Sequence, residues 1–186
     1  EYMENQFGGE YNVTATDANG NESEPSEIAS GYSVEVVNLS GWNLVGLPLA
    51  VEDASYSNLF SEAIGGTLYS YDAAYVPESY LTAGEGYWLR FNNAGSTTIT
   101  GTPINELTIS LSEGWNLVSG ISETVSIYSI SDPDGIIVSG TLYGYDMAYV
   151  PSEELIAGKG YWLRAYEDGE ITLTSGALAK DRKSVV

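Results

Sequence analysis

The feature of this sequence that most constrains its fold is an internal duplication. The strings "GWNLV" and "GYWLR" each occur twice, in the same order and at nearly the same spacing. Between residues 68–90 and 142–164, 16 of 23 positions are identical. Agreement at a fixed period is the signature of a structural unit that has been copied within one chain. The sequence therefore predicts two similar units that follow one another.

Each copy has the pattern of a β unit. The chain contains 15 tyrosines, 4 tryptophans and 21 glycines, and short clusters of Gly, Asn, Asp and Ser separate its aromatic and β-branched runs, as in strands joined by tight turns. "LYSYD" and "YWLRF" alternate with a period of two, which indicates strands with two distinct faces. Only the regions around residues 56–63 and 125–130 have helical spacing. We predict an all-β fold of two tandem homologous β-sandwich or barrel-like modules with short helical turns.

The residues that precede the first copy have a different pattern. "YNVTATD" and "ESEPSEIAS" are strand-like segments around the turn sequence "ANGN", and this hairpin resembles the last two strands of a fibronectin type III domain. We accordingly divide the chain into four segments. They are the fibronectin-like strands at residues 1–31, a first β module at 32–104, a second β module at 105–177 and a basic linker tail at 178–186.

The charge and hydropathy of the chain exclude two classes of partner. With 26 acidic and 6 basic residues the net charge is −20, and phosphate groups would repel so acidic a chain, so we expect no nucleic acid among its partners. No apolar run approaches the roughly 20 residues that a membrane-spanning helix needs. We therefore also expect no membrane insertion.

The chain contains neither cysteine nor histidine. This composition excludes disulfide bonds, nucleophiles activated by histidine and the usual zinc sites. Acid–base catalysis would have to use two carboxylates, for which Asp72 and Asp146 occupy equivalent positions in the two copies. Because 26 acidic residues bring some carboxylates together by chance, we predict that the protein is not an enzyme.

Two loops collect the hard oxygen ligands that calcium prefers. The first, "DANGNESE", contributes Asp17, Asn19 and Asn21, and the second, "SDPDG", contributes Asp132 and Asp134. Both are also ordinary turn sequences that form without any metal. Calcium is thus the one cofactor candidate, and plain turns are the alternative that the sequence favours.

The repeated aromatic residues have two interpretations. Exposed in a row beside polar groups, they would bind carbohydrate; packed inside, they would form the core of a small module without disulfides. Strand alternation in "GYWLR" places Trp88 on the face opposite Tyr87 and Leu89. We predict that Trp88 and Trp162 are mostly buried. The candidate carbohydrate-binding residues are Tyr69, Tyr71, Tyr75, Tyr143, Tyr145 and Tyr149.

Glycines recur at fixed positions before each "YWLR" string. Gly84 and Gly86 in the first copy correspond to Gly158 and Gly160 in the second. Because glycine adopts positive φ at no steric cost, we expect all four in tight turns.

Opposite charges also recur at the ends of two strands. Arg90 and Arg164 follow "GYWL", whereas Asp72 and Asp146 follow "LYSY" and "LYGY". We expect an Arg–Asp ion pair within each copy, or otherwise each arginine stacked on a tyrosine.

Taken together, the motifs resemble a known type of bacterial module. "GWNLV", "LYGYD", "YVP", "AGKGYWLR" and "GEITLTSG" are similar to the "GWNL…GYW" modules of large secreted and cell-surface proteins from Bacteroidetes- and Ignavibacteria-like bacteria. In those proteins the modules often follow fibronectin type III domains and precede a type IX secretion sorting domain. The resemblance spans about residues 34–176. It implies an extracellular or cell-surface location and identifies no catalytic residue.

We therefore expect a non-catalytic accessory or spacer segment of a larger secreted or surface-anchored protein, whose partner is the rest of its parent polypeptide. A carbohydrate-binding module with two equivalent aromatic sites, which would bind a polysaccharide, is the first alternative. The second is a subunit of an extracellular assembly, in which a neighbouring subunit completes an edge strand.

Overall fold

The computed structural model describes residues 10–11 and 29–176. Strand β1 (Glu10–Tyr11) pairs antiparallel with strand β2 (Ala29–Ser30). The rest of the predicted fibronectin-like hairpin lies outside the described residues, and so does the predicted linker tail at 178–186.

The first repeat, residues 32–104, forms two antiparallel sheets and one short helix. Its elements are β3 (Tyr32–Asn38), β4 (Gly41–Gly46), β5 (Leu49–Ala50), α1 (Tyr56–Leu59), β6 (Tyr69–Tyr71), β7 (Tyr75–Pro77), β8 (Gly86–Phe91) and β9 (Gly95–Pro103). One sheet has the strand order β4-β8-β6-β7, and the other has the order β3-β9-β5.

The second repeat, residues 105–177, has a four-stranded sheet of the same order. Its strands are β10 (Glu106–Leu111), β11 (Gly114–Ser119), β12 (Val125–Ser126), β13 (Tyr143–Tyr145), β14 (Tyr149–Pro151), β15 (Glu154–Leu155), β16 (Gly160–Ala165) and β17 (Gly169–Thr174). The four-stranded sheet runs β11-β16-β13-β14, and β10 pairs with β17 and β12 with β15. The register is also repeated, because Leu44 lies opposite Trp88 and Leu117 lies opposite Trp162.

Strand alternation builds a hydrophobic core between the sheets of each repeat. In β3, buried Val34 and Val36 alternate with exposed residues, and they belong to one buried cluster with Tyr87 and Leu89 of β8. Burying a side chain of this size stabilises a fold by about 1.5–3 kcal/mol. The second repeat has its own cluster, which includes Ile109, Leu111, Tyr161 and Leu163.

Two tight hairpins carry the aromatic residues of the four-stranded sheets. Strands β6 and β7 are joined by a three-residue turn whose middle residue, Ala73, has a φ of 54°, and Met147 has a φ of 56° at the equivalent point between β13 and β14. The turn places Tyr71 directly opposite Tyr75. Both repeats therefore have a residue in the left-handed backbone conformation at the hairpin tip, and residues other than glycine rarely adopt this conformation.

The structure confirms the predicted all-β, sandwich-like character. The two regions with helical spacing form only α1 and a 3₁₀ turn at Ile127–Ser129. Within the described part of the chain, no helix has the length and apolar character that crossing a membrane requires.

Candidate functional site

The two repeats share a third hydrophobic cluster that lies between their four-stranded sheets. Its buried members are Leu44 and Trp88 from the first repeat and Leu117 and Trp162 from the second. Because Trp88 lies on the face of β8 opposite Tyr87 and Leu89, that strand is buried on both sides: one face meets its own core and the other meets the second repeat. We call this contact the junction.

Backbone hydrogen bonds cross the junction in a reciprocal pattern. The amide of Gly46 donates to the carbonyl of Gly158 at 3.1 Å, and the amide of Ser119 donates to the carbonyl of Gly84 at 2.9 Å. Gly46 and Ser119 end the two "GWNLV" strands, so each repeat offers the same donor and the same acceptor to the other. Satisfied backbone groups are what a permanent contact requires, because unpaired buried amides are costly.

The repeated glycines divide into two roles. Gly84 and Gly158 have φ values of 89° and 77°, as predicted for turns. Gly86 and Gly160 are not at positive φ, so that part of the prediction is wrong. A Cβ atom at Gly86 would lie 2.5 Å from the Val118 carbonyl oxygen of the other repeat, and one at Gly160 would lie 2.8 Å from the Val45 carbonyl oxygen. These two glycines allow the backbones of the two repeats to approach one another closely.

Trp88 and Trp162 are buried at the junction, as predicted. Each is only 9% exposed, and the indole N–H of each has no hydrogen-bond partner among the described residues. Each ring packs edge-on against a tyrosine of the other repeat: Trp88 against Tyr145 at 4.7 Å and Trp162 against Tyr71 at 4.8 Å between ring centroids. Such pairs contribute roughly 0.5–1.5 kcal/mol beyond the burial of their area.

Two aromatic clefts lie beside the junction, and together we call them the aromatic groove. The first cleft, of about 420 Å³, is lined by Trp42, Tyr69, Tyr75, Trp88, Tyr145 and Tyr149. The second, of about 540 Å³, is lined by Tyr71, Tyr75, Trp115, Thr141, Tyr143, Tyr149 and Trp162. The structure thus brings all six candidate tyrosines, Tyr69, Tyr71, Tyr75, Tyr143, Tyr145 and Tyr149, into one surface.

Two tryptophans that line the groove were not among the carbohydrate-binding residues predicted from the sequence. Trp42 and Trp115 are 39% and 44% exposed, and each contacts the buried tryptophan of its own repeat nearly at right angles. Alternation in "GWNLV" places Trp42 on the same face as Leu44. That alternation was the signal in the sequence that could have identified both tryptophans.

The groove is uncharged but rich in hydroxyl groups. Neither cleft is lined by a charged side chain. Burial raises the pKa of Tyr149, and the nearby Tyr75 hydroxyl raises it further. Tyr75 and Tyr149 line both clefts, so these two tyrosines lie where the clefts meet.

The predicted Arg–Asp ion pairs are not formed. Among the described residues, no ion pair joins Arg90 to Asp72 or Arg164 to Asp146, and all four side chains are exposed. Arg90 instead lies over the ring of Trp42, with its Cζ 6.0 Å from the ring centroid. The alternative expectation, that each arginine stacks on a tyrosine, is also wrong, because the ring under Arg90 is a tryptophan and Arg164 lies over no aromatic ring among the described residues.

The second calcium candidate has the geometry of a plain turn. The carboxylate of Asp132 accepts hydrogen bonds from the amides of Ile136 and Ile137, each at 2.9 Å, so both of its oxygens are used within the protein. Asp134 is exposed. No group of three acidic residues that could hold a metal ion occurs in the part of the chain that the structure describes. Asp17, Asn19 and Asn21, the first candidate, lie outside that part.

No family model, no curated protein and no solved structure matches this chain. Its function is therefore inferred from the junction and the aromatic groove.

Proposed function

We propose that this chain is a non-catalytic accessory segment of a larger exported bacterial protein, in which two homologous β-sandwich modules act as one rigid spacer. The observation that supports this function is the junction, because the two repeats share a buried cluster and exchange reciprocal backbone hydrogen bonds. Flexibly linked domains lack such a hydrophobic contact and move independently by default.

The connection between the repeats supports rigidity as well. Strand β9 ends at Pro103 and β10 begins at Glu106, so only two residues separate them. The hydroxyl of Ser122 accepts a hydrogen bond from the Ile104 amide at 2.6 Å and donates one to the Pro48 carbonyl at 2.8 Å. A short connection with its own hydrogen bonds gives little freedom for one repeat to rotate against the other.

The expected location is extracellular or on the bacterial surface, and the partner is the rest of the parent polypeptide. Both expectations come from the resemblance to the "GWNL…GYW" modules. A net charge of −20 agrees with a spacer, because like charges on neighbouring copies oppose self-association.

The spacer function predicts that both repeats tumble as one body. Backbone ¹⁵N relaxation of the full chain should give the same rotational correlation time for amides of residues 32–104 and of residues 105–176. Two clearly different correlation times would show that the junction opens in solution, and a spacer of that kind would be flexible.

Carbohydrate binding is a second candidate function, and the aromatic groove favours it. Clefts of roughly 300–1,000 Å³ lined by aromatic rings and a few polar groups are typical ligand sites, and both clefts fall in this range. Affinity electrophoresis in gels that contain a polysaccharide tests this function directly. Unchanged migration in every gel would contradict carbohydrate binding and leave the spacer as the proposed function.

Assembly through edge strands has weaker support. Strands β7 and β14 are exposed edges of their sheets, but each is only three residues long and ends in a proline, Pro77 or Pro151. Short edges that contain proline oppose the addition of a further strand. The longer edge strands, β3 of 7 residues and β10 of 6, contain no proline. The net charge of −20 opposes self-association instead, and light scattering should give the mass of a monomer.

A further inference from the structure

We propose that the two clefts form one continuous site for a single uncharged polysaccharide chain, which lies across the junction and contacts both repeats. This inference deepens the carbohydrate-binding candidate and rests on it. It differs from a module with two equivalent sites in the number of chains bound and in the residues that each chain contacts.

The clefts are continuous because they share their inner wall. Tyr75 and Tyr149 line both clefts, and these two tyrosines come from different repeats. Tyr75 packs against Tyr71 of one cleft, and Tyr149 packs against Tyr145 of the other, each at 5.7 Å between centroids. A chain that leaves one cleft therefore passes these two tyrosines and enters the next without crossing a charged side chain.

Each cleft is also built from both repeats. In the first cleft, Trp42, Tyr69 and Trp88 come from the first repeat, while Tyr145 and Tyr149 come from the second. The second cleft has the reverse composition, with Tyr71 and Tyr75 contributed by the first repeat. Neither repeat alone contains a complete cleft, so the site exists only where the junction is formed.

The lining selects an uncharged ligand whose polar groups both donate and accept hydrogen bonds. Tyrosine hydroxyls do both, which matches the hydroxyls of a sugar, and the aromatic faces match the apolar C–H faces of a sugar ring. No basic side chain lines the groove, and a protein with a net charge of −20 repels sulfated or carboxylated glycans.

Two features disfavour other occupants. A proline-rich peptide offers carbonyl acceptors and few donors along its backbone, so it would use the tyrosine hydroxyls mainly as donors, whereas the hydroxyls of a sugar use them as donors and as acceptors. A flat crystalline polysaccharide would need coplanar rings. The rings here instead cross at 54–88°, and crossed rings form notches that suit one chain in solution.

The test uses hydroxyethylcellulose, xyloglucan, galactomannan, arabinoxylan and dextran as uncharged polysaccharides. Carboxymethylcellulose is the matched anionic control, because it has the same cellulose backbone as hydroxyethylcellulose. We expect at least one uncharged polymer to retard the full chain in affinity electrophoresis, and we expect carboxymethylcellulose to have no effect. Retardation by carboxymethylcellulose alone, or binding of a polyproline peptide in place of any polysaccharide, would overturn the proposal.

Two exposed tyrosines test whether the groove is the binding site, because both of them line both clefts. Tyr75→Ala and Tyr149→Ala alter residues that are 55% and 54% exposed, so the fold should tolerate them. Each substitution alone should weaken binding by about tenfold or more, as loss of a central aromatic contact does. Tyr166→Ala, at a tyrosine that is 65% exposed and outside the groove, is the matched control and should bind like the parent chain.

Calorimetric titration distinguishes carbohydrate binding as such from binding at one continuous site. The ligands are oligosaccharides of increasing length, cut from the polymer that binds. One continuous site predicts one oligosaccharide per protein and an affinity that rises until the chain spans both clefts. Two short oligosaccharides bound independently would contradict the continuous site and leave carbohydrate binding intact. No retardation by any polymer would refute carbohydrate binding itself.

Discussion

At the scale of single residues, the repeated tryptophan of "GYWLR" is a contact residue between repeats. Alternation correctly placed Trp88 on the strand face opposite Tyr87 and Leu89, but a sequence pattern shows only that a strand has two faces. It does not show what covers the second side, because the covering residues, Leu117 and Tyr145 among them, are distant in the chain. Burial of Trp88 was predictable from its size; its partner was not.

Tyr87 provides a residue-scale prediction about alkaline stability. Burial, and then the hydrogen bond that its hydroxyl donates to Glu85 at 2.6 Å, raise the pKa of Tyr87 from 10.0 to about 12. The folded chain therefore retains this proton in a pH range where the unfolded chain loses it. The resulting stability is fully present below pH 10 and is lost as the pH rises towards 12.

We expect the free energy of unfolding to fall less steeply between pH 10 and pH 12 in Tyr87→Phe than in the parent chain. Urea unfolding at several pH values measures this slope. Part of the slope should remain in the variant, because burial also raises the pKa of Tyr161, the equivalent residue of the second repeat. Identical slopes in parent and variant would show that Tyr87 ionises alike in both states.

At the scale of elements, the strands were easier to predict than their packing. Period-two alternation and turn sequences identified both "GWNLV" strands, both "GYWLR" strands and the short hairpins between them, because these features depend on neighbouring residues. The glycines show the limit. Gly84 and Gly86 are two positions apart and look alike in the sequence, yet one makes a turn and the other makes room for another strand.

The close approach at Gly86 predicts a large effect from a single methyl group. In Gly86→Ala the new Cβ would contact the Val118 carbonyl, and the two sheets would have to move apart. Forced repacking of this kind typically costs about 1–3 kcal/mol. The urea midpoint of unfolding should fall accordingly.

Gly65→Ala is the matched control for that substitution. Gly65 has no atom within 4 Å of an added Cβ and is not at positive φ, so its substitution should change stability by less than about 0.5 kcal/mol. Equal stability of the Gly86 and Gly65 variants would mean that the sheets are farther apart than the structure has them.

At the scale of the whole molecule, the two repeats share one buried cluster and one composite surface. The sequence indicated two copies and listed the tyrosines of each, but it suggested two separate sites. The structure brings those tyrosines together because the four-stranded sheets of the two copies pack against one another. The sequence of a single copy does not show which face packs against the other copy. The tyrosines of the aromatic groove could therefore be predicted from the sequence, but their arrangement in one groove could not.

Hydrogen exchange of Trp88→Ala, read by mass spectrometry, tests most directly whether the junction makes the repeats one unit. Removing a buried tryptophan typically costs about 3–5 kcal/mol. Because Trp88 packs against Tyr145, amides of β13 and β16 in the second repeat should lose protection together with those of β4 and β8 in the first. Loss of protection confined to residues 32–104, with the second repeat exchanging as in the parent chain, would contradict a shared core.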